Sequence, residues 1–113
     1  MTVEELITLL PLTVVSGQSK LGHEITGGYV SDLLSNVMGQ ACAGNVWVTM
    51  QGHQNIVAVA SLTGLAAVII AGGVKLDKDA AGKAESEEIV ILSTLLSSFE
   101  ITGRLYQLGI AGK

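Results

Sequence analysis

The sequence predicts an α/β domain with a mostly parallel sheet, on three observations. Residues 46–50, 65–70 and 89–93 are short apolar runs rich in β-branched side chains. Each is too short for a helix and nearly unbroken, the pattern of a strand buried on both faces. They recur about every 20 residues with helix-like segments between, as βα units do. Only 14% of the 113 residues are charged, against roughly 25% in an average soluble domain, so both faces of the sheet should be covered. The expected architecture is three layers, α/β/α.

The elements follow in order. Thr2 and Glu5 form a capping box that opens a helix reaching Leu10, where Pro11 stops it. Residues 12–15 read as a strand whose direction the sequence leaves open. Residues 17–20 read as a turn, and 23–28 as extended or looped. Residues 32–40 read as a helix, with Ser31 as its N-cap and Asp32 as favourable charge in the first turn. The strand holding Trp47 follows. Residues 54–62 read as a helix, apolar almost all round and therefore well buried, ended by Gly64. Asp77 caps a polar helix over 78–87. Ser97 and Glu100 form a second capping box, opening a last helix through Leu108 with Phe99, Leu105, Tyr106 and Leu108 as its apolar side. Trp47 and Tyr106 read as core or interface residues. No linker divides the chain, so one domain is expected over residues 1–113.

Composition excludes several function classes. The net charge is −4, and the six basic residues, Lys20, Lys75, Lys78, Lys83, Arg104 and Lys113, are scattered. Nucleic-acid binding needs a clustered positive field, and an anionic membrane surface would ask for the same. No apolar run approaches the roughly 18 residues of a membrane helix, and the acidic start does not resemble a signal peptide. A cytoplasmic location is expected. Cys42, the one cysteine, reads as a buried inert thiol. The low charge points to a partner-covered surface, most simply a homodimer.

No catalytic motif is present. The sequence has no P-loop, no full Gly-x-Gly-x-x-Gly, no Cys-x-x-Cys and no Gly-x-Ser-x-Gly. His23 and His53 belong to no metal-spaced set, so neither a metal nor a cofactor is expected. What remains is a group of small-residue loops. In a parallel sheet the strand C-termini share one edge, and ligands bind there, near helix N-termini whose free N–H groups suit anions. His53, Asn55, Gly72, Gly73, Ser93, Thr94 and Ser97 are expected to converge on that edge, with backbone N–H groups and hydroxyls holding a phosphate. Gly27, Gly28 and Asp32 complete the candidate ligand set.

The segments 26–38, 54–60 and 91–100 resemble, in sequence and in order, the stand-alone DRTGG-domain proteins. Glu24-Ile25-Thr26-Gly27-Gly28 keeps an acid, the threonine and both glycines of the naming motif. Ile25 stands where the name has arginine, so no arginine role is carried over. The resemblance implies a three-layer α/β fold like the N-terminal domain of HPr kinase, related to DRTGG domains of phosphotransacetylases and of CBS-containing pyrophosphatases. It implies a regulatory role tied to nucleotide control and dimer contacts, and it implies no kinase chemistry, which belongs to a P-loop domain. The resulting expectation is a non-catalytic regulatory module binding a small anionic ligand, an adenine nucleotide foremost. The alternatives are a protein–protein interaction domain docking on a signalling or redox enzyme without a small ligand, and a small enzyme using His53 or Asp32 as a base.

Overall fold

The β-branched runs become strands where both of their faces can be covered, and the computed structural model shows what covers them. It describes residues 1–112, so Lys113 and the last position of the expected domain lie outside the described residues. Helix α1 (Val3–Leu9) leads into β1 (Thr13–Ser16) and a short 3-10 turn over Gln18–Lys20. Four βα units follow: β2 (Gly27–Val30), α2 (Leu34–Gln40), β3 (Asn45–Thr49), α3 (Asn55–Thr63), β4 (Ala67–Ile70), α4 (Lys78–Ser86), β5 (Ile91–Ser93) and α5 (Ser98–Gln107).

The five strands lie in the order β1-β5-β4-β3-β2, all parallel except β1, which pairs antiparallel with β5. From β2 to β5 the chain advances one strand at a time. Crossovers of one hand therefore leave α2, α3 and α4 on a single face. Alternate strand residues divide accordingly. Trp47, Val68, Ile70 and Ile91 join Val37 of α2, Ile56 and Val57 of α3, and Ala84 of α4. Val46, Val48, Ile69 and Leu92 join Val3 and Leu6 of α1 and Ile101 and Leu105 of α5. The fold is thus the expected three-layer α/β/α sandwich.

Several local readings need correction. A regular strand, β2, begins within the stretch expected to be extended or looped, and its two glycines hide it. A Cβ on Gly27 would stand 3.0 Å from the Ala111 carbonyl oxygen, and the Gly28 N–H donates to that oxygen at 3.0 Å. The C-terminal segment thus lies along this edge strand. Helix α2 starts at Leu34, not Asp32. Ser31 instead accepts the Leu33 N–H in a local turn, and Asp32 turns its carboxylate to the neighbouring strand. The Thr2–Glu5 box is complete, with reciprocal bonds of 3.2 and 2.9 Å. The Ser97–Glu100 box is half made: Ser97 accepts the Glu100 N–H at 3.1 Å, while the Glu100 carboxylate pairs with Arg104. Asp77 holds the N-cap position of α4 without a side-chain capping bond.

Helix α5 buries Ile101 and Leu105, four residues apart on one stripe. Phe99 and Tyr106 lie off that stripe and are exposed. Trp47 is fully buried, its Nε1–H donating to the Ser31 carbonyl at 2.8 Å. Helix α3 buries Ile56, Val57, Val59 and Ala60, yet leaves Leu62 exposed.

Candidate functional site

The chain diverges at one point of the strand C-terminal edge. The segment after β4 leads to α4 on one face, and the segment after β5 leads to α5 on the other. Diverging connections of this kind open the crevice in which parallel α/β sheets bind ligands. Here the crevice is partly stitched shut. Gly72 and Gly73 both take left-handed backbone angles, φ 72° and 70°, open to glycine without strain. In that shape the Gly72 N–H donates to the Leu96 carbonyl at 2.7 Å and the Gly73 N–H to the Thr94 carbonyl at 2.9 Å. These two donors are spent, so the expectation that they hold a phosphate fails on hydrogen-bond accounting.

The open space lies beside this stitch, beneath α4. A cleft of about 830 Å³ is bounded by the start and bulge of β1, the ends of β4 and β5, the 73–76 loop and Ala81 of α4. It exists because α4 is a poor wedge. Its buried side chains are Ala80 and Ala84 alone, and the half-buried Ala81 faces the cleft. On the opposite wall the antiparallel register slips between Val14 and Ser16, and Val15, at that bulge, is part of the lining.

Most of the lining is aliphatic, including Leu12, Val15, Ile70, Leu76 and Leu95. Polar groups are few. Ser93 and Thr94 end β5, and Thr13 pairs with Ser93 across the β1–β5 ladder. Thr94 is only 4% exposed, and its hydroxyl oxygen accepts the Leu96 N–H at 3.2 Å. Lys75 stands on the 73–76 loop and is the one charged residue of the lining. Sequence reasoning missed it, since a lone lysine in the Gly-Val-Lys-Leu loop carries no motif. Apolar walls with a few convergent polar groups are what small-ligand sites generally show.

The nine expected ligand residues separate into three groups. Gly73, Ser93 and Thr94 border the cleft, with Gly72 adjacent in the stitch. Asp32, His53 and Asn55 lie on the same sheet edge but outside the cleft. Asp32 accepts from the Thr49 hydroxyl at 2.8 Å and the Met50 N–H at 2.7 Å, tying the end of β2 to β3. The His53 Nδ1 accepts the Asn55 N–H at 3.2 Å as α3 begins. Gly27 and Gly28 begin β2 and so sit at the opposite edge, under the C-terminal segment. Ser97 caps α5. Among the described residues no three His, Cys, Asp or Glu side chains gather closely enough to hold a metal ion, and no helix is long and apolar enough to cross a membrane.

Neither a protein-family model nor a curated protein sequence matches the chain. Its fold is similar to a solved structure, that of the CBS and DRTGG domains of the regulatory region of Clostridium perfringens pyrophosphatase, complexed with the activator diadenosine tetraphosphate. The TM-score is 0.69 at 14% identity, over 90% of this chain. The chain spans 44% of the length of that one. At this identity the likeness shows the fold.

Proposed function

We propose that the chain is a DRTGG-type regulatory module, one unit over residues 1–113, that binds a small anionic ligand without turning it over. The cleft beneath α4 carries this reading: aliphatic walls meet the hydroxyls of Ser93 and Thr94 at the one place where the βα connections diverge. An adenine nucleotide is the ligand proposed. Support comes from the fold's likeness to a regulatory region that was solved with the activator diadenosine tetraphosphate. A non-catalytic role accords with the local duties of His53 and Asp32, the two residues a base would come from. Gly72 serves this site by shaping it, not by donating.

The test is thermal unfolding of the purified chain against a panel of nucleotides and phosphorylated metabolites. A ligand at about 100 times its dissociation constant adds about 2.7 kcal/mol, a rise of roughly 10 °C in a domain of this size. Such a rise with an adenine nucleotide, lost in Ser93→Leu, is the expected result. A flat response to every nucleotide contradicts it.

A second reading is docking between proteins at the same edge, with a second copy of the chain as the partner. Leu95 and Phe99 favour it, being 89% and 88% exposed where β5 passes into α5. Exposed apolar groups of this size in a chain so poor in charge mark contact surfaces. A dimer in sedimentation that becomes monomeric in Leu95→Glu supports this reading, and a wild-type monomer at high concentration contradicts it.

A further inference from the structure

Resting on the reading of the α4 cleft as the ligand site, we infer that Lys75 is its anion-binding residue. The site then takes a ligand with one compact anionic group on an apolar body, not a polyphosphate. Three observations combine. Lys75 is the one charged residue of the lining. Lys20 and Lys83 each have a glutamate carboxylate at 3.9 Å, whereas Lys75 makes no ion pair among the described residues. The backbone donors of Gly72 and Gly73 are committed to Leu96 and Thr94.

The side-chain donors left to a ligand are few. The Ser93 side chain makes no hydrogen bond within the described residues and lines the cleft beside Thr94. An ammonium and one or two hydroxyls can satisfy a single phosphate or carboxylate. A second and third phosphate would face aliphatic walls such as Leu12 and Leu76. Burying an ionised group without a partner is among the most unfavourable steps in binding. The net charge of −4 adds repulsion that grows with the ligand's charge. The ligand's uncharged part meets the aliphatic walls, and its area of contact supplies most of the affinity.

The test is titration calorimetry of the full chain with AMP, ATP, adenosine and octanoate, on the wild type and on Lys75→Met and Lys75→Arg. Methionine keeps the apolar stem and removes the charge. We expect AMP to bind at least tenfold more tightly than ATP. AMP affinity should fall about tenfold or more in Lys75→Met and return in Lys75→Arg, while adenosine binds both variants alike. Should ATP match or exceed AMP, or should Lys75→Met bind AMP normally, the assignment of Lys75 and of a ligand with a single anionic group is overturned, while the nucleotide reading stands. Binding of octanoate that depends on Lys75, with no binding of any nucleotide, upholds the present inference and overturns the adenine-nucleotide reading. No binding of any of the four overturns both.

Discussion

The two ends of one sheet face are built differently. Under α3 the face is filled: Ile56, Val57 and Val59 meet Trp47 and Val68, and Trp47 is wholly buried. Under α4 the same face meets mostly alanine, and about 830 Å³ remains open between α4, β5 and β1. Helices α3 and α4 both have nine residues. What differs is side-chain volume. The cleft therefore forms where a helix is too small in the side chain to fill its place, beside a bulged edge strand.

That comparison can be broken most forcefully at its filled end. Trp47→Ala should cost about 3–5 kcal/mol, as large-to-small changes in a packed core do, read from the denaturation midpoint. A cost below about 1 kcal/mol would mean that the α3 end is as loosely packed as the α4 end. Ala81→Leu sharpens the comparison from the other side. Adding a methylene-rich side chain to a packed core costs about 1–3 kcal/mol. Here the side chain enters open space, so stability should hold within about 1 kcal/mol while the nucleotide response disappears. A large destabilisation would show that the space beneath α4 is not available.

Most of the fold was legible because its strands are continuous β-branched runs with periodic spacing, and that signal is local. The run from Val46 to Thr49 and the helix ending at Gly64 could be read directly. Strand β2 could not, since Gly27 and Gly28 have low strand propensity and the Ala111 carbonyl that accepts the Gly28 N–H on its outer edge lies far away in sequence. The site was half legible. Gly73, Ser93 and Thr94 follow from the rule that ligands sit at strand C-termini. That rule cannot tell a free N–H from a committed one, and so the Gly72 and Gly73 donors were misjudged. Nor could it place Asp32, whose partners Thr49 and Met50 belong to the next strand. The cleft itself depends on the volume of Ala81, which carries no sequence motif at all.

Smaller effects separate the helices of the opposite face from the cleft. Ser97→Ala removes the side-chain cap on the Glu100 N–H and should cost about 1 kcal/mol, checked by urea denaturation. The acid limb of stability offers a finer test at α1. Backbone and hydroxyl hydrogen bonds from Thr2 hold the Glu5 carboxyl below its ordinary value of 4.5. A carboxyl lowered on folding stabilises the folded chain above its unfolded pKa, and that contribution is lost as pH falls through the lower, folded value. The midpoint temperature should therefore fall less steeply below pH 4.5 in Glu5→Gln than in the wild type. The ligand response at neutral pH should be the same in both.

The central claim is that the space beneath α4 is a ligand site, and backbone amide NMR with AMP added stepwise tests it most directly. The account predicts saturable shifts at Val74, Lys75, Ala81, Ser93 and Thr94, with His53, Asn55, Gly27 and Gly28 unmoved. Shifts centred on His53 and Asn55, or none at any AMP concentration that the sample tolerates, would contradict it.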